Sequence, residues 1–141
     1  MNKITFPHMG DYYIPINYLL ENITKSIVII PPPITKKTIE LGSKYSPDYV
    51  CMPFKYNLGN FIEALENGAN VILQAGGGCR YGYYAELQEQ ILKDLGYKFE
   101  FVNFIENNHV SIFNIYNYAK SLNKKLNIIS FSYYVLNTAI M

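Results

Sequence analysis

Two rhythms of apolar residues alternate along this chain: short continuous runs, and stripes spaced three or four residues apart. The run from Ile4 to Met9 ends at Gly10; Ile16, Leu19, Leu20 and Ile23 then mark one face of a helix, with Pro15 tolerable in its first turn. Ser26 to Ile30 is β-branched and continuous and is halted by Pro31, Pro32 and Pro33, which predicts a fully buried strand. Thr35 is placed to cap a short helix from Lys36 to Leu41 that Gly42 ends. Asp48 to Met52 reads as a short strand that reaches Cys51, and Leu58, Phe61, Ile62 and Leu65 give the next helical stripe, closed by Asn67 and Gly68. Asn70 to Ala75 is another buried strand, followed by a helix through Tyr84, Leu87, Ile91 and Leu95 that stops at Gly96. Lys98 to Phe104 alternates, as an edge strand with one wetter face does. Ile112, Ile115, Tyr116, Ala119 and Leu122 form one more stripe. From Leu126 onward two readings stand: Ile129, Tyr133, Leu136 and Ile140 fit a helix face, while Asn127 to Phe131 fits the start of a strand.

Strand and helix patterns that alternate through short connections predict one α/β domain over residues 1–141. The expected architecture is Rossmann-like: an open, mostly parallel sheet with helices on both faces. Half of the residues are apolar and 16% are charged, which is the balance of a folded globular chain. A net charge of +1 gives no reason to expect nucleic acid or an anionic membrane as partner. The N-terminus lacks the pattern of a signal peptide, and no apolar run reaches the ~18 residues that read as a bilayer span. A cytoplasmic location is therefore expected, where the two cysteines are reduced or metal-bound rather than disulfide-linked.

In an open parallel sheet, ligands bind beyond the carboxyl ends of the strands. The strand reading puts five segments on that rim: 8–10, 31–33, 51–55, 76–80 and 103–106. Both cysteines, Cys51 and Cys79, thus fall on one edge. The glycine run before Cys79 is not a nucleotide motif. A P-loop begun at Gly77 needs Lys and Ser or Thr where Tyr83 and Tyr84 stand, and a dinucleotide fingerprint begun at Gly76 needs a small residue at Tyr81. What is left is a loop of Gly76, Gly77 and Gly78 through which backbone approaches a ligand. It runs into a helix N-terminus that favours an anion, with Arg80 adding positive charge beside a stabilised Cys79 thiolate. The plainer alternatives stay open here: Cys79 as a small residue in a tight turn, Cys51 as core filler, His8 as a hydrogen-bonded structural histidine and His109 as a solvated one. Lys55 is a candidate for binding a phosphate or carboxylate.

The segments ITFPHMG (4–10), ELGSKYSPDYVCMPFKYNLGNF (40–61) and QAGGGCRYGYY (74–84) resemble the 2-hydroxyacyl-CoA dehydratase-related proteins, and within them the CoA enzyme activase-related branch. Two signatures carry the resemblance: Cys51-Met52-Pro53-Phe54-Lys55, and Gly78-Cys79-Arg80-Tyr81-Gly82-Tyr83-Tyr84. It implies a Rossmann-like domain that helps to hold a [4Fe-4S] cluster, with Cys51 and Cys79 as ligands and one iron left open. Nothing in the chain resembles the phosphate loops of the ATP-hydrolysing activase.

The resemblance also implies a third cysteine that this sequence lacks. The chain then reads as an N-terminal portion of a longer protein, in which the missing ligand lies beyond Met141; a homodimer with four thiolates around one cluster is the other arrangement. The expected function is that of an iron–sulfur component of a dehydratase-like or activase-like redox system, working with a redox or activase partner and inactive as an isolated chain. The alternative is a non-catalytic α/β binding or assembly module without a cluster.

Overall fold

The computed structural model describes residues 1–74, 84–106 and 109–141. Four strands, β1 (Lys3–Thr5), β2 (Ile27–Val28), β3 (Val71–Gln74) and β4 (Glu100–Asn103), form one sheet in the order β2-β1-β3-β4, and every pairing in it is parallel. Helix α1 (Tyr13–Thr24) carries the chain from β1 outward to β2. Helices α2 (Lys36–Tyr45) and α3 (Met52–Glu66) bring it back across β1 to β3, and α4 (Tyr84–Asp94) leads on to β4. After β4 come a small antiparallel pair, β5 (Ile105–Glu106) and β6 (His109–Val110), then α5 (Ile112–Leu122) and α6 (Ile128–Ile140). The direction of winding reverses between β1 and β3, so the sheet has its switch point there.

The alternation of side chains along the central strands divides the core in two. Ile4, Phe6, Val71 and Leu73 point to one face, where they pack with Leu20 of α1 and with Ile115 and Leu122 of α5. Ile72 points to the other, against Phe54, Leu58, Phe61, Ile62 and Leu65 of α3 and Leu92 of α4. Helices therefore cover both faces, as an α/β pattern requires. A third cluster of Ile23, Ala119, Leu126 and Phe131 fastens α6 over α1 and α5.

The elements differ from the sequence reading in three places, and a further segment, left between two readings, takes one of them. The strand expected over 26–30 contracts to two residues and is not fully buried, because β2 is an edge strand with β1 as its one neighbour among the described residues; Ile27 and Ile30 are exposed. The expected strand over 48–52 is a turn, closed by a bond from the Val50 N–H to the Pro47 carbonyl, and Cys51 is instead the N-cap of α3. The segment from Leu126 resolves into a helix, capped where the Asn127 side chain accepts from the Ser130 N–H at 2.8 Å.

The third difference is Gly42. It does not end α2, which runs on to Tyr45, because this glycine serves close approach and not chain reversal. A Cβ on Gly42 would overlap the Lys55 carbonyl oxygen of α3, and a Cβ on Gly59 would overlap the Thr38 carbonyl oxygen of α2. The two helices touch backbone to backbone. Around that contact the Thr38 hydroxyl donates to Glu63 at 2.6 Å, and Lys37 reaches Glu63 and Glu66 at 3.8 and 3.7 Å. By contrast Gly68 and Gly96 do follow helix ends, at φ of +92° and +88°.

Gly59→Ala is expected to lower unfolding stability in urea by about 3 kcal/mol, the upper end of overpacking costs. Ser43→Ala, on the exposed side of α2, is expected to stay within about 0.5 kcal/mol. Tyr118 of α5 supplies a pH test. Burial, with a smaller contribution from the Glu100 charge, pushes its phenol up to about 12. The unfolded chain gives up this proton first, near the ordinary value of about 10, so the contribution holds below that pH and fades as pH rises towards about 12. Stability compared at about pH 9 and about pH 11 is expected to fall less in Tyr118→Phe than in the wild type.

Candidate functional site at the carboxyl edge

The four parallel strands all deliver their carboxyl ends to one edge, and at the switch point between β1 and β3 a cavity of about 770 Å³ opens. Phe6, Leu73 and Phe104, each at or just past the end of a strand, line its sheet side, and Ile16, Leu19 and Leu20 of α1 line its flank. Among the described residues its polar side chains are few: His8, Cys51, Tyr56, Asn57 and Tyr84. A mostly apolar hollow with a few convergent polar groups at this position has the form of a ligand site.

Asn60, fully buried on α3, organises that edge. Its side-chain oxygen accepts from the His8 N–H at 3.1 Å, and its amide group donates to the Pro32 carbonyl at 2.7 Å. One side chain thus ties the segments that follow β1 and β2 to the helix that carries Cys51. The His8 ring stacks on Tyr13 with centroids 6.4 Å apart, and its Nδ1 is buried with no hydrogen-bond partner among the described residues. On the far side, Tyr84 meets Phe54 edge-on at 5.0 Å, and the buried Gln88 donates to the Phe54 carbonyl at 3.3 Å. These contacts hold the first turns of α3 and α4 beside each other.

Cys51 is an exposed free thiol on the cavity rim. As N-cap of α3 it makes no side-chain capping bond, Pro53 stands in the first turn, and no acidic side chain is present there. The helix end therefore presents partly positive N–H groups with no carboxylate of its own to satisfy them. Lys55 lies one turn further on, its N–H bonded to the Cys51 carbonyl and its own carbonyl against Gly42. Lys55 is not among the residues that line the cavity; Tyr56 and Asn57 take that side of the turn. His109 is exposed, as expected.

Gly76, Gly77, Gly78, Cys79 and Arg80 lie outside the described residues. Among the described residues no group of three or more His, Cys, Asp or Glu side chains is arranged to hold a metal, so these residues offer a cluster one thiol and not a complete ligand set. No helix among them is long and apolar enough to cross a membrane. No family model matches the chain, and neither a curated protein nor a solved structure matches it.

Sequence pattern does not single out Asn60, although one signal is present: an amide in the middle of the apolar stripe Leu58, Phe61, Ile62, next to a glycine. Asn60→Ala removes both bonds and strands the His8 N–H and the Pro32 carbonyl. A loss of about 2 kcal/mol in chemical denaturation is expected.

Proposed function

We propose that this chain is a cluster-binding α/β component similar to the 2-hydroxyacyl-CoA dehydratase-related proteins, with Cys51 and Cys79 as two thiolate ligands of a [4Fe-4S] cluster at the carboxyl edge. The observation that carries the reading is the position of Cys51: an exposed thiol at a helix N-terminus, on the rim of the cavity at the switch point of the sheet. A second observation supports it. Leu73 and Tyr84, which flank the segment that contains Cys79, both line that cavity.

A four-iron cluster normally takes four thiolates, and the sequence holds two. The remaining ligands come from another polypeptide segment, a partner or a longer form of the protein. Bound there, the cluster would supply one-electron chemistry. The chain's own contribution is two thiolates, partly positive N–H groups at the start of α3, and apolar walls that limit water. With an incomplete ligand set, the chain alone is not expected to catalyse dehydration. The apolar lining favours a second reading, an α/β module that binds a small molecule without a cluster.

Anaerobic reconstitution with iron and sulfide, followed by iron counting and visible absorption, separates the two. With half of the ligand set missing, wild-type chain alone is expected to reconstitute poorly, retaining iron and sulfide in equal amounts but well short of four irons per chain, and to lose that share in Cys51→Ala and in Cys79→Ala. Wild-type retention no greater than that of the doubly substituted chain sinks the cluster reading.

A further inference from the structure

Helix α6 lies outside the α1/α5 layer and shows solvent an apolar side. Its thirteen residues, IISFSYYVLNTAI, include no charge. Phe131 faces inward, against Tyr116 at 5.2 Å, and Tyr134 meets Tyr18 of α1 at 6.2 Å. On the opposite side Ile129, Tyr133, Leu136 and Ile140 form a stripe in which each residue is 60–78% exposed. Scattered apolar residues on a surface need no explanation, but a continuous helical stripe does.

The spacing of the stripe indicates what covers it. The steps are four, three and four residues, a series that reads the same in both directions. Laid antiparallel on a second copy about its own midpoint, the stripe sets Ile129 against Ile140 of the partner subunit and Tyr133 against Leu136 of the partner subunit. This is the self-complementarity that an isologous two-fold interface needs. Charge agrees. Lys124 and Lys125 are exposed just before α6 begins. In an antiparallel pair they come beside the partly negative carboxyl end of the other helix, whereas a parallel pair would bring four lysines together. Area sets the strength of the pair. Burying an aliphatic side chain removes roughly 100 Å² from water. Scaled by these exposures, the stripe with the flanking Ile128 and Met141 offers roughly 450 Å² per copy, about half of the roughly 800 Å² in a standard interface and the size of a weak, reversible one.

We propose that the chain forms a two-fold dimer through antiparallel pairing of α6 with α6 of a second copy. Within one chain α6 runs antiparallel to α1, since Phe131 at its start packs with Ile23 near the end of α1, while Tyr134 reaches back to Tyr18. Helix α1 itself runs from the carboxyl edge of the sheet to the opposite edge. The strands therefore run with α6, and pairing α6 with its copy turns the two carboxyl edges away from each other. The dimer does not bring the Cys51 rims together, so its existence is independent of whether either rim holds a cluster.

Sedimentation equilibrium of the apo chain between about 1 and about 100 μM tests the proposal, at concentrations that bracket a micromolar dissociation constant. The expected mass is twice the 16.2 kDa of one chain. Tyr133→Glu and Leu136→Lys are each expected to weaken self-association roughly a hundredfold, because each buries an unpaired charge in the pair. Both positions are exposed in the single chain, so far-UV circular dichroism and melting temperature are expected to show an intact fold. An equimolar mixture of the two variants is expected to dimerise again, since the carboxylate introduced in one chain then faces the ammonium introduced in the other. A wild-type monomer across this range, open-ended association, or folded single variants that still dimerise overturns the proposal. A mixture that stays monomeric overturns the antiparallel register.

Discussion

The backbone contact between Gly42 and Gly59 is the constraint on which the rest of the edge depends. Helices normally keep their axes apart by the width of their side chains. Here two glycines let α2 and α3 close until carbonyl oxygens fill the places of absent Cβ atoms. That distance leaves the link over 46–51 as a tight turn, and the turn ends by placing Cys51 at the cap of α3. Asn60, the neighbour of Gly59, then reaches both the β1 and β2 loops because α3 sits so near them. Core packing and the geometry of the thiol are consequences of one close approach.

The rim is built to a different specification from the core beneath it. Below, the faces of β3 sort Val71 and Leu73 from Ile72 into separate, dry clusters. Above, the same winding leaves helix N-termini, an exposed thiol and a histidine nitrogen with no bond to the described residues, around a hollow that the apolar residues do not fill. Open parallel sheets tend to produce this contrast. Their strands end together while their helices start there, and the reversal between β1 and β3 parts the two helix layers. The cluster reading uses the rim, and the dimer reading uses the outermost helix on one side. The two demands on the molecule do not compete.

Local pattern was enough to determine much of this protein. The strand at Val71–Gln74, the helix stripes, the cap at Thr35 and the glycine stops at Gly68 and Gly96 depend on near neighbours in sequence, so periodicity and turn chemistry reveal them. The convergence of the segments at 8–10 and 103–106 was legible as well, because alternating strands and helices admit few parallel topologies; Cys51 joins them as a helix cap instead of a strand end, and 76–80 lies outside the described residues. Tertiary structure alone decided the rest. Ser26 to Ile30 has the composition of a central strand, and only its place at the edge of the sheet exposes Ile27. Gly42 has the look of a helix stop until a second helix presses on it. Val50 and Cys51 suit a strand until the closure of α2 on α3 demands a turn. In each case the deciding partner lies far away in sequence. Composition records what a residue can do; the neighbour brought by the fold settles which of those things it does.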